Sequence, residues 1–417
     1  MKTMWKSIVR LLALLVSLSF VSPAHAARLH DGERRIVLNG VEHWVRIAGA
    51  RAGTTPLIIV HGGPGGNVYT YERTIGPQLE KFTTVVYYDQ RGSGRSAAPA
   101  NPSDYTMPTI VADLESLRVA LGAERINLLG FSFGGLVAME YAVRHPERVD
   151  RLILQSAPDG DYRRLAAIQT WGFEALATGK QREQIRVLAA QPVDSPMQRM
   201  NAVWALADRQ AVDRFLFHNQ NAAELNRRLW EQSGLSNSGR MAAVVFADEN
   251  ARATPLVDEL NRITARTLVL VGRHDRNVGL DMERDLADRI PNATLSILED
   301  SAHFPEMEEP QAYAAAVRAF LKRRSARSKV EPTSAQPQVL AVSMRGIAEQ
   351  RRYTDQRKGD LAHQSWRMAA TGGKRPFSTG KDAAAVQSAP SRSGPPRLKR
   401  ACPASCRTVR GGPISWR

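Results

Sequence analysis

The sequence predicts an α/β fold: a mostly parallel central sheet with flanking helices and a helical cap. Three observations predict it. Short apolar runs rich in β-branched residues recur along the chain, segments of helical period lie between them, and one long interval holds helix-forming residues only. Continuous apolar runs of this length suit strands buried on both faces. Their alternation with helices gives parallel strands joined by right-handed crossovers.

The elements follow in order. Glu33–Leu38 and Val41–Ile47 are joined by Asn39-Gly40, the strongest two-residue hairpin signal. Pro56–Val60, Thr83–Tyr88, Arg125–Leu129, Val149–Leu154, Arg266–Val271 and Thr294–Leu298 are the buried-strand candidates. Tyr69–Glu80, Met107–Leu121, Phe133–Arg144, Leu280–Arg289 and Glu308–Lys322 carry helical periodicity. Residues 159–264 are rich in Ala, Leu, Arg, Gln and Glu and offer no convincing strand. An insertion here lies over the carboxyl ends of the strands, where such sheets bind ligands; a distal structural insert is the alternative. The organisation expected is therefore a leader over 1–26, a core over 27–158 and 265–324, a cap over 159–264 and a basic, disordered tail over 325–417.

Charge supports this division. The chain of 417 residues holds 57 Lys+Arg and 41 Asp+Glu, a formal charge of +16 that taken whole suggests nucleic acid or a membrane. The tail holds 18 basic and 5 acidic residues and the leader three basic ones, leaving 36 of each sign between Ala27 and Arg324. A neutral middle argues against a nucleic-acid groove. Both cysteines, Cys402 and Cys406, lie in the tail, so the core has no thiolate nucleophile, iron–sulfur cluster or disulfide. The tail is dominated by Pro, Ser, Gly, Gln and Arg. Its charge suits an anionic surface, while its composition fits an incidental extension better.

Met1–Ala26 reads as a secretory signal. A short basic region precedes the apolar run Leu11–Val21, and Ala24-His25-Ala26 places small residues where a signal peptidase cuts, after Ala26. The run is far shorter than the roughly 20 residues that span a bilayer. An uncleaved anchor is the alternative. The mature protein is expected in the periplasm or outside the cell.

The chemistry concentrates in four places. Gly130-Phe131-Ser132-Phe133-Gly134 stands between a predicted strand and a predicted helix, the context in which G-x-S-x-G exposes a serine on a sharp turn. A serine hydroxyl needs an adjacent base to act as a nucleophile at neutral pH. Asp275 follows the strand ending at Val271, and His303 follows the strand ending at Leu298. Asp275 would orient His303, which would take and return the Ser132 proton. Asp300, Glu299 and Asp159 are alternative acids. The glycine-dense loop His61–Gly66 would bring a backbone N–H to the reaction centre, assigned to Gly63, beside the N–H of Phe133. No Lys-Ser/Thr follows these glycines, which disfavours a phosphate loop. His61 reads as structural. No cofactor and no metal are called for.

The ordered set of His61-Gly62-Gly63-Pro64-Gly65-Gly66, Asp89-Gln90-Arg91-Gly92-Ser93-Gly94-Arg95-Ser96, Gly130–Gly135, Asp275 and His303 resembles the α/β-hydrolase fold and, within it, the proline iminopeptidase family of serine peptidases. The resemblance covers about Glu33 to Lys322 and is weakest in the cap. It implies a Ser/His/Asp hydrolase, with Gly63 and Phe133 in the oxyanion roles, that removes an N-terminal residue, often proline, from small peptides. Phe133 departs from the family, where many members have Trp. The family holds the substrate's amine with cap carboxylates. Trp230-Glu231 is not a clear match, and Glu174, Asp208, Asp213, Glu224, Asp248 and Glu249 are the other candidates. An esterase or lactonase on the same residues is the alternative enzyme, and a non-catalytic binding protein the alternative from another class. Ser132 at the nucleophile position disfavours epoxide hydrolase and dehalogenase chemistry. The expected partner is a small molecule or short peptide, with no nucleic acid; oligomeric state is left open.

Overall fold

Eight strands form one sheet in the order β1-β2-β4-β3-β5-β6-β7-β8. They are β1 Gly32–Leu38, β2 Val41–Ala48, β3 Leu57–Val60, β4 Val85–Tyr88, β5 Ile126–Phe131, β6 Val149–Gln155, β7 Arg266–Gly272 and β8 Ala293–Leu298. The computed structural model describes residues 29–191, 195–235, 241–242 and 254–322. The expected leader and tail, and the candidates Asp248 and Glu249, lie outside the described residues.

The hairpin β1–β2 pairs antiparallel at one edge, β2 pairs antiparallel with β4, and every later pairing is parallel. Alternation along the strands sends side chains to two cores. Ile58, Val60, Val86 and Leu128 join a cluster with Leu114, Leu117 and Val137 on one face. Leu57, Ile59, Val85 and Leu129 join Tyr71, Leu79, Val317 and Phe320 on the other. Burial on both faces is why these strands are apolar throughout.

The helices are α1 Tyr69–Arg73, α2 Gly76–Leu79, α3 Met107–Ala120, α4 Phe133–Arg144, α5 Tyr162–Leu176, α6 Gly179–Ala190, α7 Pro196–Leu206, α8 Arg209–Leu216, α9 Gln220–Ser233, α10 Leu280–Arg289, α11 Pro305–Glu308 and α12 Pro310–Lys322. Three expectations need correction. The run Thr294–Leu298, expected to be buried on both faces, forms the edge strand β8 and is mostly half-buried, since no strand covers its outer side. The helix expected over Tyr69–Glu80 is broken at Thr74-Ile75, because Pro77 at the start of α2 has no N–H to continue the ladder. The helix expected from Glu308 begins at Pro305 and is interrupted at Glu309, ahead of Pro310.

Helices α5 to α9 lie between β6 and β7, and no strand occurs there among the described residues. They carry a small core of their own, Phe173, Ile185, Val203 and Phe215, with Phe173 and Phe215 stacked at 3.9 Å. A second cluster joins Phe217, Ala222 and Leu229 of the insertion to Met307 and Phe304 beyond β8. The insertion therefore rests on the loop that carries His303.

Candidate active site

Strand β5 ends and α4 begins across Ser132, whose φ of 52° and ψ of −122° form a tight elbow. Glycine makes the elbow possible. A Cβ on Gly134 would lie 2.0 Å from the Val60 carbonyl oxygen. Ser132 N donates to Gln155 O at 2.9 Å, and Gly135 N to Ser132 O at 2.8 Å, so the strained residue is held from both sides. Ser132 stays partly exposed while its neighbours are buried, at the positive end of α4.

Asp275 and His303 meet at the ends of β7 and β8. His303 Nδ1 lies 2.9 Å from Asp275 Oδ2, and both side chains are buried. Asp275 Oδ1 accepts from the N–H groups of Asn277 at 2.7 Å and Val278 at 3.1 Å. The Phe131 ring, adjacent in sequence to Ser132, packs 5.1 Å from the His303 ring. Ser132, Asp275 and His303 thus stand beyond the carboxyl ends of β5, β7 and β8 of one sheet.

The other acids do not meet His303. Glu299 pairs with Arg273 at the surface. Asp300 is exposed. Asp159 accepts from Asp161 N at 2.9 Å and faces Arg164 at 3.4 Å. His274 turns away from Asp275 and stacks on His218 at 3.9 Å.

The loop after β3 passes beside the elbow. A Cβ on Gly62 would stand 3.1 Å from Ser132 Cβ, so the loop runs close against the serine side chain. Gly63 is exposed with φ 132°, a conformation reserved for glycine. Phe133 is the first residue of α4, where helix N–H groups have no partner within the helix. The Asp89–Ser96 segment braces this loop from below. Gln90 N donates to His61 Nε2 at 2.9 Å, so Nδ1 holds the ring proton and donates to Gly62 O at 2.9 Å. Burial lowers the His61 imidazole from its ordinary value. Asp89 accepts from Val68 N at 3.0 Å and from Arg95 N and Nε at 2.9 and 2.8 Å. His61 is a structural residue of the loop.

Two partners of the site were not legible in sequence. Asn277 Nδ2 lies 2.9 Å from His303 Nε2, the ring nitrogen opposite Asp275. Glu308 accepts from Ala302 N at 2.7 Å and from His218 N and Asn219 N at 2.7 and 2.6 Å, clamping the His303 loop to the insertion. His303 N also donates to Leu216 O at 3.0 Å. Asn277, two residues past an acid in a polar turn, looks like ordinary turn chemistry until the long-range contact is seen.

Four amine-binding candidates in the insertion already have partners. Glu174 pairs with Arg186 at 2.8 Å, Glu224 with Arg228 at 2.6 Å and Asp213 with Arg227. Asp208 caps α8 through Ala211 N at 2.8 Å. Glu231 is exposed on α9.

The model of the alpha/beta hydrolase fold family matches residues 55–310, well over half of the chain. The chain belongs to the α/β-hydrolase family. Among the relatives of this α/β hydrolase, the 2-hydroxymuconate semialdehyde hydrolase of Pseudomonas sp. (strain CF600) is 29% identical over 298 residues, spanning 70% of this chain and 95% of its own. The proline iminopeptidase of Clostridium botulinum is 27% identical over 301 residues, spanning 67% and 94%. The solved structure of a proline iminopeptidase-related protein from Thermus thermophilus superposes with a TM-score of 0.59 at 26% identity, covering 70% of this chain and 98% of its own. The resemblance to proline iminopeptidases read from the motifs holds, and the α/β hydrolase is a hydrolytic enzyme by family.

Proposed function

We propose that the protein is a Ser-His-Asp hydrolase that works through an acyl-enzyme. The observation that carries the reading is the 2.9 Å contact between Asp275 and His303 beside a serine held at an elbow of positive φ. Ser132 Oγ attacks the acyl carbon and its proton passes to His303 Nε2, while Asp275 stabilises the imidazolium. The N–H groups of Gly63 and Phe133 receive the developing oxyanion. Collapse expels the leaving group with the proton from His303. Water then repeats the sequence on the ester, freeing the acid and restoring Ser132. No cofactor or metal is part of this scheme.

The substrate class proposed is a small peptide with a free N-terminal residue, proline foremost, on the strength of the motifs and of the relatives named proline iminopeptidase. Helices α5 to α9 act as the cap over the site. Export from the cytoplasm is part of the proposal and rests on the leader sequence alone. The partnered carboxylates of the insertion favour a second reading, a carboxylic ester hydrolase on the same residues.

Proline 4-nitroanilide, its N-blocked form and 4-nitrophenyl butyrate separate the two. Cleavage of the free-amine substrate alone supports the aminopeptidase; cleavage of the ester and the blocked amide, with the free amine ignored, replaces it by the esterase. A fluorophosphonate that labels wild type and Ser132→Ala equally would remove the serine mechanism altogether.

A further inference from the structure

An unbroken line of side-chain hydrogen bonds runs from the insertion to His303. Trp204 Nε1 donates to Gln169 Oε1 at 2.7 Å, Gln169 Nε2 to Asn277 Oδ1 at 2.6 Å, and Asn277 Nδ2 approaches His303 Nε2 at 2.9 Å. His303 Nδ1 closes the line on Asp275. Gln169, Asn277 and His303 are all buried, so the line is shielded from competing water.

The indole fixes its direction. Indole N–H is a donor only, so Gln169 must turn its oxygen to Trp204 and its amide nitrogen to Asn277. Asn277 then accepts on Oδ1 and has only its amide nitrogen left for His303. Nε2 is therefore an acceptor, and the ring proton is on Nδ1, facing the Asp275 carboxylate. Every polarity in the line follows from one residue of α7, about which Phe173 and Phe215 pack edge-on at 4.9 and 5.3 Å.

A neutral imidazole offers one lone pair, on the unprotonated nitrogen. In the proposed mechanism that lone pair must receive the Ser132 proton, yet here it receives an Asn277 N–H. We propose that Asn277 and Gln169 are positioning residues that latch His303 in a resting state, and that movement of the cap which carries Gln169 and Trp204 releases the base to Ser132. The inference rests on the Ser132–His303–Asp275 reading. Substrates that engage the cap displace the latch themselves; small acyl donors that do not must work against it.

The test uses the full-length protein and a small alkyl fluorophosphonate, which reaches Ser132 without filling the cap. Asn277→Ala raises its second-order inactivation rate roughly fivefold, the worth of one modest hydrogen bond. Gln169→Ala and Trp204→Phe raise it roughly twofold, and they carry the test if Asn277→Ala does not fold. With ring-15N histidine, the His303 Nε2 resonance moves toward that of a free imine nitrogen in Asn277→Ala, a change that loss of packing alone would not produce. Inactivation at or below the wild-type rate in every folded variant, or an unmoved Nε2 resonance, overturns the latch. Labelling that survives Ser132→Ala overturns the serine mechanism instead, while the resonance still reports the Asn277–His303 bond.

Discussion

Asp275 divides its carboxylate between two tasks: Oδ2 faces His303 Nδ1 at 2.9 Å, and Oδ1 accepts from the backbone of Asn277 and Val278. The backbone bonds lock the carboxylate in one rotamer, so the imidazole is aimed by the chain itself. Asp275→Asn keeps the size and can still accept on one oxygen. It presents an amide where His303 needs an acceptor, which favours the wrong tautomer. Its kcat is expected to fall about 10³- to 10⁴-fold with the melting temperature little changed. Activity within tenfold of wild type would move the acid elsewhere.

Ser132 stores strain for the sake of exposure. Its φ of 52° with ψ of −122° is a region that side chains avoid, at a cost on the order of 1–3 kcal/mol. Glycine adopts it freely and loses part of the gain to its more flexible unfolded chain. Ser132→Gly and Ser132→Ala are both expected to lose at least 10³-fold in kcat. Ser132→Gly should melt above Ser132→Ala, by an amount equivalent to about 1 kcal/mol. Identical melting curves would mean that the elbow is not strained in solution.

The sheet was legible because buried parallel strands leave an apolar signature that local sequence carries. The strand-end placement of Ser132, Asp275 and His303 was legible because each follows a short strand run, buried for β5 and β7 and half-buried for the edge strand β8, and is flanked by glycine or polar turn residues. The break at Thr74-Ile75 was missed because apolar period runs on through Val68, Tyr71, Ile75 and Leu79, all of which reach the same core. Pro77 was the signal against a continuous helix. Gln169, Asn277 and Glu308 were missed for a different reason. Their partners lie 108, 26 and about 90 residues away, so only folding brings them together.

Gly62 separates the two jobs of its loop. A Cβ there would press on Ser132 Cβ at 3.1 Å and on the Phe131 ring at 3.0 Å, distances that a shift of a few tenths of an ångström would relieve. Gly62→Ala should therefore fold, with the loop displaced from Ser132. Misplaced donors cost catalysis steeply, so kcat is expected to fall roughly tenfold or more with KM less affected. Gly134→Ala has no such escape, since its Cβ would collide with backbone at 2.0 Å, and should give little soluble protein. Equal yields and activities for the two variants would contradict the packing described.

Glu306 couples stability to pH. Tyr71 and Tyr313 both donate to Gln155 Oε1, at 2.8 and 2.6 Å, so Gln155 turns its amide nitrogen to Glu306 Oε2. Oε1 has no partner among the described residues. Burial, with a smaller push from Glu308, raises this carboxyl from its ordinary 4.5 to about 8. Between those values the unfolded chain is ionised at this position and the folded one is protonated. The folded state then holds the extra proton, so stability is greatest below pH 4.5 as far as this group is concerned, and declines as pH rises toward 8. Glu283, buried beside Asp275 and raised in the same direction, adds to the decline. Glu306→Gln keeps the oxygen that accepts from Gln155 and cannot ionise. Its melting temperature, followed from pH 5 to 9, is expected to fall less steeply than that of wild type, with the gap between the two curves widening from pH 5 and levelling off above about pH 8. Parallel curves over that range would show that Glu306 is already ionised in the folded protein.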